Sequence, residues 1–103
     1  MISIGTIVMG AADVRRAAEF WSRALDYVPR DGEVADDWVV LVPADGPGPG
    51  LSLGLSTTPV QEHPRVHLDL YARDAAEQAA LLEIHPAVAA VLAGHVRRQL
   101  RDP

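Results

Sequence analysis

Cysteine and lysine are both missing from this chain of 103 residues, whose nine basic residues are all arginine. Without cysteine there is no disulfide framework and no thiolate chemistry, which suits a cytoplasmic protein. The lack of lysine goes with abundant alanine and reads as genomic base composition more than function. No apolar run approaches the roughly 20 residues that cross a bilayer, so a membrane partner is not expected. Met1-Ile2-Ser3-Ile4-Gly5 has no basic leader and reads as the start of a strand, not a signal peptide. The formal charge of −5 leaves no basic stripe to neutralise phosphates, and Arg97, Arg98 and Arg101 are too few to supply one. Nucleic acid is therefore excluded as a partner. What the chain does have is a hydrophobic content of 49%, enough for one folded domain spanning residues 1–103.

Periodicity gives the order of elements. Residues 2–9 are apolar and β-branched and read as a strand. Asp13 is placed as a helix N-cap, since its carboxylate can accept from an amide two or three residues on. Residues 14–26 then repeat Val14, Ala17, Ala18, Trp21, Ala24 and Leu25 at helical spacing, with Arg15, Arg16, Glu19 and Arg23 on the other side. Tyr27 to Glu33 reads as a short edge strand, limited by Pro29 and by the Asp31-Gly32 turn. Trp38 to Val42 is a continuous apolar strand of the kind buried on both faces. Pro43 to Gly50 is a turn whose prolines remove the consecutive amides that a phosphate cradle needs. Leu51 to Ser56 alternates, with leucines on one side and Ser52, Gly54 and Ser56 on the other. Residues 57–65 form a polar linker with Pro59 and Pro64. Residues 66–72 alternate again, Val66, Leu68 and Leu70 facing one way and His67, Asp69 and Tyr71 the other. Asp74 with Glu77 resembles a capping box before a second helix. Ile84, Val88, Val91, Leu92, Val96 and Leu100 then recur at three- and four-residue spacing, which predicts an amphipathic C-terminal helix over 86–103 beginning at Pro86.

An internal repeat runs through this order. Thr6 to Asp13 and His67 to Asp74 are both a short strand leading to a capping Asp, seven residues after an inward strand position, and then an Ala-rich helix. Two strand-helix-strands units of this spacing resemble the vicinal oxygen chelate superfamily, which includes glyoxalases, ring-cleaving dioxygenases and bleomycin-resistance proteins. The resemblance covers about residues 1–80. It implies an α+β fold: a βαβββ repeat of the glyoxalase-like fold over 1–56, a linker at 57–65, a partial second repeat (strand-helix) over 66–84, and the C-terminal helix.

Metal-dependent members of the superfamily take ligands from the first and last strands of both units. Carried onto this chain, the first position is Thr6, which is no credible ligand. The last strand of the first unit offers Ser52, Gly54 and Ser56, without a carboxylate. The second unit offers His67, and its closing strand is expected to be missing. One ligand of four remains, where a divalent transition ion takes three or four protein donors, so neither a metal nor another cofactor is expected. His67, Asp69 and Tyr71 would instead present a donor, an acceptor and a ring to a bound molecule, with Trp38 lining the pocket at the mouth of its strand. The plainer alternative pairs His67 with Asp69 inside a subunit contact or under a loop. His63 and His67 have the spacing of a helical zinc pair, but Pro64 makes the segment extended and separates them by ~13 Å. His85 and His95 read as helix-surface residues. No nucleophile-base arrangement stands out, so no catalytic residue is assigned.

A half-completed second unit leaves strand edges and apolar surface in need of cover. The resemblance and the commonness of cyclic dimers imply a homodimer. The expected function is a metal-free glyoxalase-like protein that binds a small, hydrophobic or aromatic molecule on the concave sheet face. The alternatives are a metal-dependent lyase or dioxygenase whose site is assembled across a dimer, and an inactive truncated family member.

Overall fold

The computed structural model describes residues 1–60, 62, 63, 66, 68, 70–83, 99 and 100. The chain divides into two compact units, Met1–Pro59 and Val60–Pro103.

The first unit contains β1 (Thr6–Ala11), α1 (Val14–Leu25), β2 (Tyr27–Pro29), β3 (Trp38–Pro43) and β4 (Gly50–Leu55). This is the βαβββ order. The four strands form one sheet in the order β1-β4-β3-β2, in which β1 runs parallel to β4 and the other neighbours are antiparallel. Leu51 and Leu53 alternate with Ser52 along β4, and the register sets Leu51 beside Ile7 and Leu41, and Leu53 beside Met9 and Val39. These residues make one apolar face.

α1 covers that face. Asp13 is extended, and its side chain accepts from the Arg16 amide at 3.0 Å, which starts the helix where an N-cap should. Asp26 ends it in the left-handed region, at φ 55° and ψ 51°, with its N–H donating to the Ser22 carbonyl. Aspartate is one of the few side chains that tolerates this backbone. Val14, Ala18 and Trp21 are buried as their spacing predicts; Phe20 is buried too, its ring 5.1 Å from that of Trp21 in an edge-on pair. With Val39, Leu41, Leu51 and Leu53 these side chains form the core. Burying each large one contributes about 1.5–3 kcal/mol.

The second unit contains β5 (Tyr71–Ala72), α2 (Ala75–Glu83) and β6 (Gln99–Leu100), with β5 and β6 parallel. Asp74 caps α2 by accepting from the Glu77 amide at 2.8 Å. Glu77 reaches back to the Arg73 amide at 3.4 Å and takes the Arg73 Nε–H at 2.6 Å. The reciprocal bond of a capping box thus lands one residue before the cap.

Several strand limits differ from the sequence reading, because pairing partners and turns set them. β1 starts at Thr6, not residue 2, because Thr6 lies opposite Gly50, where β4 begins; Ile2 and Ile4 are exposed. β2 stops at Pro29, where the Gly32 amide bonds back to the Pro29 carbonyl in a turn with Gly32 at φ 79°. Among the described residues of 66–72, Tyr71 and Ala72 are strand and Val66, Leu68 and Leu70 are not; Val66 is exposed and Leu68 and Leu70 are half-buried. Gln99 and Leu100 are strand, not helix, and pair in parallel with Tyr71 and Ala72. Two residues are too few to carry a strand period. The rest of the expected helix, residues 86–98 and 101–103, lies outside the described residues. No helix among the described residues is long and apolar enough to cross a membrane.

Candidate functional site

The face of the first-unit sheet opposite α1 is assembled by strand alternation. β1 contributes Thr6, Val8 and Gly10; β4 contributes Ser52 and Gly54; β3 contributes Trp38 and Val40. None of these is charged. Val8 is 58% exposed and Trp38 is 44% exposed, so an apolar surface faces outward.

Trp38 lies opposite Gly54 in the β3–β4 pair. A methyl group on Gly54 would stand 3.3 Å from both Cε3 and Cζ3 of the indole. The ring therefore rests across β4 on a residue without a side chain, which leaves its outer surface open. The sequence reading of Trp38 to Val42 as buried throughout holds for Val39, Val40 and Leu41 and fails for Trp38. Gly10 lies beside Gly54, and a methyl group there would meet Ser56 Cβ at 2.8 Å.

Thr6 and Ser52 meet on this face, their hydroxyl oxygens 2.7 Å apart. Thr6 is exposed and Ser52 fully buried. The sequence places both on the inward side, but only the β1–β4 register reveals that they touch.

A glyoxalase-like domain family model matches residues 6–103. The chain belongs to the glyoxalase-like domain family. The match extends past residue 80, where the resemblance seen in the sequence ends. Among solved structures, the chain is similar to a possible glyoxalase from Bacillus cereus, with TM-score 0.60 and 20% identity over 79% of this chain and 69% of that one. It is also similar to a lactoylglutathione lyase from Agrobacterium tumefaciens, with TM-score 0.48 and 18% identity over 84% of this chain and 69% of that one. A third similar structure is a glyoxalase/bleomycin resistance protein/dioxygenase from Alicyclobacillus acidocaldarius, with TM-score 0.48 and 22% identity over 82% of this chain and 62% of that one. At 20% identity the likeness to the Bacillus cereus structure is one of fold. Among curated proteins none matches the chain.

On this sheet face of the glyoxalase-like domain, the described strand residues with side-chain oxygens are Thr6 and Ser52, two neutral hydroxyls bonded to each other. Divalent transition ions take imidazole, thiolate or carboxylate donors, and Thr6 and Ser52 do not fit one. Among the described residues no group of three His, Cys, Asp or Glu could hold a metal ion.

The remaining candidates divide. Tyr71 stands on β5 and is exposed. His67 and Asp69 lie outside the described residues, as do His85 and His95. His63 is exposed. Burial of Trp21 makes it core. In the second unit, the Arg73 guanidinium is held above its ordinary pKa, chiefly by its hydrogen bond with Glu77 and then by that carboxylate's charge. It stays charged throughout the useful pH range and is no proton shuttle.

Proposed function

We propose that this glyoxalase-like domain binds a small apolar or aromatic molecule on the open face of the first-unit sheet, without a metal ion. One observation carries the reading. The face combines an indole seated on Gly54, the exposed Val8, and hydroxyls at the positions where metal-dependent members of the superfamily hold ligands. Indole and valine give a flat apolar ligand contact area at little cost in conformational freedom. Tyr71, an exposed ring of the second unit, and His67 and Asp69, by their residue types alone, stand as a separate ligand-binding proposal that the first-unit site does not draw on. A homodimer, which would cover exposed apolar surface, and a cytoplasmic setting are part of the same proposal.

Metal analysis and ligand-observed NMR on the purified protein test it together. Isopropenylnaphthalene serves as the probe. We expect no stoichiometric Ni, Zn, Fe or Mn, and probe binding that weakens about tenfold in Trp38→Ala, a loss of one stacked ring. Stoichiometric metal would turn the reading towards a lyase or dioxygenase. Binding indifferent to Trp38 would remove the site. Light scattering over a concentration series tests the dimer, and a monomer at every concentration would remove it.

A further inference from the structure

Ser52 is fully buried, and among the described residues its hydroxyl has one partner, Thr6 Oγ1 at 2.7 Å. Each hydroxyl has a single hydrogen to donate, so one member of the pair gives its hydrogen to the other and the second keeps its own. If Thr6 donated, the Ser52 hydrogen would be left buried with no acceptor among the described residues, which carries the desolvation penalty of an orphaned donor. The exposed Thr6 carries no such penalty, because its hydrogen can point to water or to a ligand. We infer that Ser52 donates to Thr6, and that Thr6 thereby presents a fixed hydrogen-bond donor which selects neutral aromatic ligands bearing a carbonyl-type acceptor.

This inference rests on the proposed binding role of the open face and names its ligand class. Accepting a bond from Ser52 polarises the Thr6 hydroxyl and strengthens it as a donor. Ser52 and Gly54 are two residues apart on β4, ~7 Å along the strand, and the indole lies over Gly54. Thr6 itself stands opposite Gly50, four residues from Gly54, with its hydroxyl turned to Ser52, so a two-ring ligand with one ring on Trp38 would span to Thr6 with an acceptor at its far end. The described strand residues of the face supply no cation, since Thr6, Val8, Trp38, Val40, Ser52 and Gly54 are all uncharged. A carboxylate there would lose hydration without gaining an ion pair, whereas a ketone, ester or amide oxygen meets its match in one neutral donor.

The test compares two probes of nearly the same shape on the full chain: methyl naphthyl ketone and isopropenylnaphthalene, which has a methylene in place of the oxygen. The wild-type protein should bind the ketone about tenfold more tightly, as one net hydrogen bond allows. Thr6→Val should bring the ratio to about one, and Thr6→Ser should restore it. A ratio unchanged in Thr6→Val overturns the inference and leaves the proposed function standing. Failure of the wild-type protein to bind either probe overturns both. If Thr6→Val loses its circular dichroism, the carbonyl stretch of the ketone bound to the wild-type protein decides. A lower frequency than in hydrocarbon solvent supports the donor, and an unshifted one refutes it.

Discussion

Asp13 and Asp74 do the same work at the starts of α1 and α2. Each accepts the amide three positions on, Arg16 at 3.0 Å and Glu77 at 2.8 Å. Beyond the caps the two helices differ. α1 lays Val14, Ala18, Phe20 and Trp21 into a core shared with a sheet whose β1–β4 ladder pairs six residues with six. α2 follows a strand paired over two residues, and its local support is Glu77 gripping Arg73 on two atoms. Its Ala75, Ala76, Ala79 and Ala80 are exposed. A capping signal thus fixes where each helix begins; beyond the cap, α1 is held by a described core, and what is described of α2 is the grip of Glu77 on Arg73.

The strongest way to break that contrast is to empty the first core. Leu41 is fully buried, and Leu41→Ala should cost about 2–5 kcal/mol by urea unfolding followed through Trp21 fluorescence. A loss under about 1 kcal/mol would put the first unit on the same footing as the second. Removing the caps sharpens the comparison. Asp13→Ala and Asp74→Ala should each cost about 1 kcal/mol. Hydrogen exchange should nevertheless find α1 still protected in the first variant and α2 opened in the second; equal protection in both would sink the distinction. Gly54→Ala asks whether the indole rests where its geometry puts it. Stability should change by less than about 1 kcal/mol, while Trp38 emission moves to longer wavelength; unchanged emission would mean the ring has no seat on β4. The smallest effect belongs to the exposed Arg15–Asp36 pair, 2.5 Å apart. Arg15→Gln should cost under about 0.5 kcal/mol, and a larger loss would show that this bridge helps hold α1.

What was legible in the sequence follows from the same contrast. The caps, the extent of α1, the βαβββ order and the two-sidedness of β4 are local signals, and all were readable from residue types and spacing. The start of β1 at Thr6 was not, because a strand's length depends on a partner far away in the chain. Phe20 was missed because it lies off the helical stripe and is buried beside Trp21. The candidate site was half legible. Alternation placed Thr6 and Ser52 on the inward side, and composition singled out Trp38. Contact between Thr6 and Ser52 needs the register of β1 against β4, and the exposure of Trp38 at the head of an apolar run depends on its lying across Gly54. Neither leaves a mark in local pattern.

The parallel pairing of β1 with β4 also sets an order of events. In this ladder Thr6 waits for Gly50 and Ala11 for Leu55, so the first strand of the chain finds its neighbour only when the last strand of its unit has arrived. The α1 cap and the turns flanking β2 and β3 close over short distances and can form early, but the closing ladder carries the loop entropy of the whole unit. On a ribosome, Ile7, Val8 and Met9 emerge before the other strands of this sheet and stay unpaired longest. The strand that carries Thr6 into the candidate site is therefore the one most open to the wrong partner while the protein is being made.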